Sequence, residues 1–522
     1  MPGSVLAHIG AEGPSMPTTV KVSNFGPIAS GSVELRPLTV FFGPSNSGKT
    51  FLATLVYGLH TITNGFSVLP RPELWQQWAA RSVAAGSYSG GSEAAKEIRS
   101  LIVHGLSAGK VKFDSLPTSY KALLADFLSA DDGFSVELAD ELKRLYNKES
   151  TEELIRVSSP NHRGTIALSV QGDPSHSTQD QSGWKMGTTL DGTACATEVN
   201  IDPDYVIEMD DKVKQGAQLT LPLFEGDEAS EVDRFIDALM AGRILGSFRE
   251  NRESIEAWFL PASRSGIMLT HRFLASALVR RSTGRRRRNT FDPYVLPGAI
   301  SDFVANLLTF TERRKWGHQA QLARYIETGL LQGTVETRRE GKFGLPSFVY
   351  TPDSWKEGFP LADASSMVTE LAPLVVYLRW LVKPGDMLII EEPEAHLHPE
   401  AQTKVALALA RMVRSGIRLV ITTHSDWLLA EISNLIRAGE LEDPRSDRGA
   451  DPTDLPRLQA SEVGVWGFEV DPDSRASTIQ ELPFKWIGGV EPPKIFDIAE
   501  AMHEQTAQLI REHEDGLGHE IE

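Results

Sequence analysis

One eight-residue segment has the composition and spacing of a phosphate-binding loop. Residues 43–50 match the pattern G-x-x-x-x-G-K-[ST], in which glycines let backbone N–H groups converge on phosphate oxygens. Lys49 would reach the β- and γ-phosphates of a nucleotide, and Thr50 would ligate Mg²⁺. The alternative is a chance glycine-rich turn. The residues predicted to bind nucleotide here are Gly43, Pro44, Ser45, Asn46, Ser47, Gly48, Lys49, Thr50 and Phe51.

Two carboxylates follow an apolar run in segment 386–393. Residues 387–390 are Met-Leu-Ile-Ile, which indicates a buried strand, and Glu391 and Glu392 come directly after it. In open α/β sheets ligands bind at the carboxyl ends of strands. Glu391 would therefore hold Mg²⁺ through water, and Glu392 would act as the general base for an attacking water. The alternative is that both glutamates are solvated and cap a helix near residue 399.

A histidine ends the next apolar run. His424 follows Thr422 and Thr423 at the end of a second segment that indicates a buried strand. An imidazole placed there could contact the γ-phosphate and detect its hydrolysis. A lone histidine is otherwise structural or merely exposed.

The surrounding patterns predict the elements that would position these groups. Residues 17–42 read as strands, and an amphipathic helix follows the glycine-rich loop. From residue 365 the pattern is helix, buried strand, helix, buried strand, which is typical of a parallel α/β sheet. Hairpins are predicted near 340–355 and over 463–486, and a last helix over 494–513. Residues 228–258 are predicted to be helical, and segment 257–266, Ala-Trp-Phe-Leu-Pro-Ala-Ser-Arg-Ser-Gly, is predicted as a strand that leads into a loop.

Composition limits the class of protein. The 522 residues carry 52 Lys and Arg against 70 Asp and Glu, a net charge of −18, which argues against a surface broadly adapted to polyanions. No run of about 20 apolar residues indicates a membrane helix, and the N-terminus lacks a secretory pattern. Cys195 is the one cysteine, so an internal disulfide is excluded. These features predict a cytoplasmic protein, with Met16 as a possible initiator.

The three motifs in this order resemble those of the ATP-binding cassette ATPases. Segment 391–399, Glu-Glu-Pro-Glu-Ala-His-Leu-His-Pro, is similar to the motif of OLD-family and RecF/SMC-like members, of the kind found in bacterial anti-phage defence. The resemblance implies an α/β fold, a mixed sheet with flanking helices and an antiparallel β lobe, extended by large helical insertions. It also implies that His398 lies in a dimer-contact loop. A zinc site at His396 and His398 is the rival interpretation, but no cysteine or third ligand lies nearby.

The resemblance also implies a signature segment that caps the partner subunit's nucleotide. Residues 364–371 occupy its position, with Ser365 and Ser366 as the phosphate-contacting hydroxyls and Met367 where glycine is usual. The alternative is an ordinary helix N-cap. Arg264, in the segment expected to couple nucleotide to the helical lobe, would contact a phosphate or the opposite subunit. The alternative for Arg264 is a pair with a core carboxylate.

A run of arginines is a further candidate site. Six of them fall within nine residues, and they could bind nucleic-acid phosphates. Runs of like charge are more often solvated or protein-binding loops. The arginines are Arg280, Arg281, Arg285, Arg286, Arg287 and Arg288.

The predicted organisation follows the motifs along the chain. The predicted divisions are a leader (1–16), the N-terminal part of the ATPase head (17–64), a helical insertion (65–150), a β lobe with the coupling loop (151–266), a second helical insertion with the arginines (267–358), the C-terminal part of the head (359–440), and a hairpin and helix (441–522).

The resemblance implies an ATPase that dimerises around ATP and Mg²⁺ and controls a separate effector, such as a nuclease. No C-terminal Toprim nuclease is expected, because fewer than about 100 residues follow His424 and the acidic loop 440–454 has no suitable strand before it. The alternative is a RecF-like DNA-repair ATPase that binds DNA through the arginines. A transporter energy subunit is disfavoured by the Glu-Glu-Pro-Glu motif and by the long insertion between Lys49 and Ser365.

Overall fold

A computed structural model gives the fold. It describes residues 17–63, 65–66, 110–112, 114, 121, 125, 127–128, 133–157, 159, 162–171, 183–191, 195–202, 206–208, 255–283, 296–312, 318–339, 344–441, 455–491 and 502–511. The leader 1–16, most of the helix predicted over 228–258 and most of the acidic loop 440–454 lie outside these residues. The last helix, predicted over 494–513, is observed where it is described, at 502–511.

The strands are numbered in chain order. They are β1 (Thr18–Phe25), β2 (Ile28–Leu35), β3 (Leu38–Phe42), β4 (Lys110–Lys112), β5 (Gly164–Gln171), β6 (Gly183–Leu190), β7 (Cys195–Ile201), β8 (Val206–Glu208), β9 (Ala257–Leu260), β10 (Gly333–Arg339), β11 (Pro346–Pro352), β12 (Phe359–Pro360), β13 (Met387–Glu391), β14 (Arg418–Thr423), β15 (Val463–Val470), β16 (Ser477–Glu481), β17 (Phe484–Lys485) and β18 (Gly489–Val490).

The longer helices are numbered likewise. They are α1 (Lys49–Ile62), α2 (Phe134–Tyr146), α3 (Arg264–Thr283), α4 (Gly298–Thr309), α5 (His318–Ile326), α6 (Ser366–Trp380), α7 (Pro399–Arg414) and α8 (Asp426–Glu440). A π-helical turn, Glu327–Leu331, continues α5. Short 3₁₀ turns occupy Thr151–Leu154, Leu361–Asp363 and Ala460–Glu462.

Eleven strands form one mixed sheet. Their order is β7-β6-β5-β1-β2-β16-β15-β3-β14-β13-β9. The five strands from β15 to β9 run parallel, whereas β1 pairs antiparallel with β2 and β5, and β5 to β7 continue the antiparallel half. This is the predicted α/β fold, with a mixed sheet and an antiparallel β lobe. The hairpins predicted near 340–355 and over 463–486 are also observed, as β10–β11 and β15–β16.

Helices cover both faces of the parallel half. Residues of α1 and α2 pack into one apolar core, and residues of α6, α7 and α8 pack into the core on the opposite face. All five residues of β3 and all five of β13 are buried, as expected for parallel strands covered on both sides. No helix among the described residues has the length and apolar character needed to cross a membrane.

A polar cluster joins the loop-bearing helix α1 to the two regions inserted between the motifs. The Tyr57 hydroxyl of α1 donates to Asp302 of α4 at 2.9 Å, and Arg144 of α2 donates to both oxygens of the same carboxylate at 2.9 Å. The bidentate geometry fixes the orientation of the two side chains as well as their distance. Segments far apart in sequence therefore meet on one helix of the nucleotide-binding region.

Candidate functional site

The predicted site residues meet at the carboxyl ends of four adjacent parallel strands. The glycine-rich loop follows β3, His424 follows β14, Glu391 ends β13, and Arg264 lies four residues beyond the end of β9. Strands β9, β13, β14 and β3 are neighbours in that order, so a single edge of the sheet presents all of these groups. This edge is where ligands bind in open α/β sheets.

The loop between β3 and α1 has the backbone conformation of a phosphate cradle. Gly43 has φ +151° and Gly48 has φ +94°, values that L side chains rarely adopt. A Cβ at Gly43 would lie 2.7 Å from the carbonyl oxygen of Phe468, so glycine is required there for space as well. Pro44, Ser45 and Asn46, at the crest of the loop, are exposed. The crest is therefore open to a ligand.

Lys49 lies inside this loop. Its Nζ donates to the carbonyl oxygens of Gly43 at 2.7 Å and Pro44 at 2.6 Å, and the side chain is buried. The first intrahelical hydrogen bond of α1 runs from Leu52 N to Gly48 O, so the N–H groups of the first turn point out of the helix end. An ammonium group and a set of free N–H donors thus converge on one place, which suits an anion.

Phe51 contributes to that place through its backbone alone. Its ring packs against Phe25 and Tyr146, with centroids 4.8 and 4.3 Å apart. The Tyr146 hydroxyl also donates to the Phe51 carbonyl oxygen at 2.7 Å. The predicted nucleotide contact of Phe51 is therefore available to its N–H group, and the side chain belongs to the core.

The charge of Lys49 predicts that anion binding at this loop is sensitive to alkaline pH. Burial lowers the pKa of the Lys49 ammonium below its usual 10.5, partly opposed by the carboxylates of Glu392 and Glu394. A bound phosphate favours the charged form and raises this pKa again. ATP affinity should therefore fall as pH rises through the lowered pKa, which calorimetric titrations at several pH values would measure.

Lys49→Arg provides the control for this titration. A guanidinium stays protonated throughout the accessible pH range. Whatever its absolute value, the ATP affinity of this variant should stay constant over the pH range in which the wild-type affinity falls. A wild-type affinity that stays constant up to pH 10.5 would show that the Lys49 charge does not govern binding.

Glu391 provides a buried carboxylate beside the loop. One of its oxygens, Oε2, accepts a hydrogen bond from Ala262 N at 3.0 Å. Burial raises the pKa of Glu391, although hydrogen bonds from Ala262 and from the Thr50 side chain act in the opposite direction. A desolvated carboxylate next to a threonine hydroxyl is a set of hard oxygen ligands, which fits Mg²⁺.

Glu392 is held in an unusual backbone conformation. Its φ is +43°, in the left-handed region that a residue with a side chain occupies only at a cost. Its N–H donates to Thr422 O at 2.9 Å, which keeps it beside the end of β14. The carboxylate is about one-third exposed, and its Oε1 lies 3.8 Å from Nδ1 of His424. The two predicted catalytic side chains are therefore neighbours at the edge of the site.

The alternative role for the two glutamates, capping a helix near 399, is wrong. The N-cap of α7 is His398, whose Nδ1 accepts from Glu400 N at 3.4 Å. Glu391 instead ends a buried strand, and Glu392 begins the loop after it.

Sequence reasoning missed the role of Glu394. This buried carboxylate accepts a hydrogen bond from Thr423 Oγ1 at 2.6 Å and another from His424 N at 3.0 Å. It thereby fixes the backbone that carries His424. The available signal was an acidic residue in the loop after a buried strand, within the same Glu-Glu-Pro-Glu segment.

Ser365 and Ser366 lie at the exposed N-terminus of α6. Ser365 is the N-cap, and its Oγ accepts from Val368 N at 3.5 Å, while Ser366 is the first helical residue. The N-cap interpretation is thus observed for Ser365. Both side chains are exposed at a helix end that favours anions, so the predicted contact with a partner's nucleotide stays open to them.

Arg264 does not face a ligand, and its predicted phosphate contact is corrected. The segment after β9 is not all loop either, because α3 begins at this residue. The guanidinium is 1% exposed and pairs with the fully buried Glu370 of α6 at 2.8 Å. This is the alternative interpretation, an arginine paired with a core carboxylate. Strand β9 ends close to α6 in the interior, which is why the side chain turns inward.

The two histidines of the loop before α7 have different neighbours. His396 has φ +59°, and its Nδ1 lies 3.5 Å from Oε2 of Glu370. His398 uses its Nδ1 as the helix cap. Within the described ranges, no group of three His, Cys, Asp or Glu side chains could hold a metal ion.

The arginine-rich segment is described only in part. Arg280 and Arg281 belong to the last turns of α3, where the backbone alone is described, and Arg285, Arg286, Arg287 and Arg288 lie outside the described residues.

Comparison with known proteins finds one family whose model resembles part of this chain. Residues 222–430 match the model of the family described as "AAA domain, putative AbiEii toxin, Type IV TA system". The match is shorter than half of the chain. It includes Arg264, Ser365, Ser366, Glu391, Glu392 and His424, and it begins after the glycine-rich loop.

Solved structures of SMC heads match the chain at low sequence identity. An SMC head bound to the C-terminal winged-helix domain of ScpA is 12% identical, with a TM-score of 0.39, and the match covers 90% of this chain and 98% of that one. An SMC head domain from Thermotoga maritima is 10% identical, with a TM-score of 0.31 and coverages of 90% and 99%. No curated protein sequence matches this chain. Residues 222–430 are thus similar to this AAA-domain family, and the glycine-rich loop that precedes them has the sequence and backbone conformation of a P-loop.

Proposed function

We propose that the protein binds ATP with Mg²⁺ and hydrolyses it. The observation that carries the proposal is the meeting of Lys49, Glu391, Glu392 and His424 at the ends of three neighbouring parallel strands. An ammonium group, a buried carboxylate that could hold Mg²⁺ and a carboxylate about one-third exposed are groups that phosphoanhydride hydrolysis can use.

Each residue has a defined task in this mechanism. Lys49 and the N–H groups at the start of α1 bind the phosphate oxygens and replace the water molecules that solvate them in solution. Thr50 and Glu391 would hold Mg²⁺, which, when bound, neutralises the charge that develops on the phosphate oxygens. Glu392 accepts the proton of the attacking water from its position in the loop that directly follows the strand ending in Glu391. His424 lies beside Glu392 at the edge that the γ-phosphate would occupy.

The active species in this proposal is a dimer or a higher homo-oligomer. Ser365 and Ser366 are exposed at the N-terminus of α6. Two chains would enclose two ATP molecules, each between the loop of one chain and these serines of the other. ATP binding would close the dimer, and hydrolysis would open it.

The biological setting that we propose is bacterial defence against phage, with a separate effector under control of the ATPase. The support is the family description, which names a putative toxin of a type IV toxin–antitoxin system. The second candidate is a DNA-processing ATPase of the RecF kind. It is favoured by the six arginines between Arg280 and Arg288 in an otherwise acidic chain.

ATP turnover with and without duplex DNA, at low and physiological salt, separates these candidates. A protein-partnered ATPase should show turnover that DNA does not change. Stimulation by DNA that weakens as salt rises would favour DNA processing through the arginines, because phosphate contacts release counterions. Absence of ATP turnover under all conditions would contradict hydrolysis itself.

A further inference from the structure

A buried ion pair lies directly beneath the catalytic edge. The side chains of Arg264 and Glu370 are 1% and 0% exposed, and Nη2 lies 2.8 Å from Oε1. The guanidinium also donates four hydrogen bonds to backbone carbonyl oxygens. Their acceptors are Glu370 O at 3.1 Å, Pro261 O at 3.3 Å, Glu391 O at 2.5 Å and Glu392 O at 3.0 Å.

This pair connects the two halves of a composite site. Glu370 lies one helical turn after Ser366 on α6, so it moves with the N-terminus that would meet the partner's nucleotide. Arg264 holds the carbonyl oxygens of Glu391 and Glu392, the last residue of β13 and the first of the loop. Because Glu392 has a strained φ of +43°, its carboxylate depends on such contacts for its direction.

A second partner-facing group reaches the same carboxylate. His396 is 66% exposed, and its Nδ1 lies 3.5 Å from the other oxygen of Glu370, Oε2. Glu370 is therefore contacted on one oxygen by the guanidinium that holds the catalytic loop, and on the other by an exposed loop residue. Arg264, Glu370 and His396 form a continuous chain from the surface to Glu392, which we name the Glu370 relay.

Stability alone does not explain a pair of this kind. Removing two charges from water is costly, and apolar residues of similar volume often replace a buried ion pair without loss. A second, partly buried pair on α6 joins its C-terminal end to the π-helical turn through Arg379 Nη2 and Glu327 Oε2, 2.5 Å apart. The Glu370 pair differs from this one in binding the backbone of the catalytic loop.

We propose that Glu370 is a positioning residue through which contact with a partner subunit sets the direction of the Glu392 carboxylate. Contact of the second chain with Ser366 or His396 shifts or fixes the Glu370 side chain. The Arg264 guanidinium moves with Glu370, and the carbonyl groups of Glu391 and Glu392 move with the guanidinium to which they are bonded. Each chain contacts the partner's ATP through Ser365 and Ser366 and hydrolyses its own ATP with Glu392. The pair thus couples the two ATP sites to each other. The inference rests on the proposed dimeric ATPase.

His396→Ala is the first test, because an exposed side chain can be removed without disturbing the core. We expect unchanged ATP affinity, a reduced kcat, and a Hill coefficient for ATP that falls from near two toward one, since two coupled sites set the upper limit. The protein concentration is varied so that association does not limit turnover. Wild-type kcat and Hill coefficient in this variant would overturn the proposal.

Glu370→Gln and Arg264→Lys test the buried part, with Glu327→Gln as the matched control. The first two should lower kcat by about tenfold or more at unchanged affinity, because small displacements of a catalytic group are costly. A lysine ammonium has three N–H donors and cannot reproduce the planar arrangement of five donors in the Arg264 guanidinium. Glu327→Gln should lower the melting temperature comparably but keep the kcat.

The outcomes separate this inference from the function on which it rests. A wild-type protein without ATPase activity overturns the proposed function and the inference together. An active wild type with unchanged kcat in Glu370→Gln, or an equal kcat loss in Glu327→Gln, overturns the inference alone. If the buried variants fail to fold, the His396→Ala result decides.

Discussion

Lys49→Ala should abolish ATP binding. The buried ammonium is the one side-chain charge inside the loop, where it donates to the carbonyl oxygens of Gly43 and Pro44. The variant lacks the contact between the buried ammonium and the phosphate. It also leaves the partial negative charges of those two carbonyl oxygens close to the anion. We expect at least about a 100-fold weaker affinity, or about 3 kcal/mol, in isothermal titration calorimetry.

Lys404→Ala is the control for a general effect of removing a lysine. Lys404 is an exposed residue of α7 that pairs with Glu400 at 2.9 Å. That variant should bind ATP as the wild type does. Near-normal affinity in Lys49→Ala, with an intact fold by circular dichroism, would show that the phosphates bind elsewhere.

Glu392→Gln should keep ATP binding and stop turnover. The amide has the shape of the carboxylate but cannot accept the proton of the attacking water, so a fall of about 100-fold or more in kcat is expected. The backbone contacts of Glu392 with Thr422 and Arg264 do not involve its carboxylate, so its position should persist. With ATP and Mg²⁺ the variant should accumulate as a closed dimer.

Light scattering measures this trapped state. The mass should rise from 57.3 kDa to twice that value when ATP and Mg²⁺ are added, and stay there. Glu400→Gln, at an exposed carboxylate of α7, should hydrolyse ATP at the wild-type rate. Normal hydrolysis by Glu392→Gln would refute the assignment of the general base.

The catalytic edge can be predicted from the sequence because each of its motifs directly follows the apolar run that indicates its strand. Apolar runs at 38–42, 387–390 and 419–421 indicate buried strands, and each is followed at once by a polar motif. Parallel strands place such motifs at the same edge without any knowledge of distant contacts. This is why Lys49, Glu391, Glu392 and His424 could be assigned to one site.

Pairings across long separations could not be predicted in this way. Arg264 and Glu370 are 106 positions apart, and nothing in either segment indicates that the guanidinium turns inward. The β15–β16 hairpin was expected, but its insertion between β2 and β3 depends on register with strands more than 400 residues earlier. Glu394 shows the same limit, because its partner Thr423 ends another strand.

Phosphate release from ATP by the purified wild-type protein tests the proposed hydrolysis most directly. It is measured with Mg²⁺ and with a chelator, and with Glu392→Gln purified in parallel to reveal contaminating activity. We expect saturable release that requires Mg²⁺ and is absent from the variant. No release by the wild type, or equal release by Glu392→Gln, would contradict hydrolysis at this site.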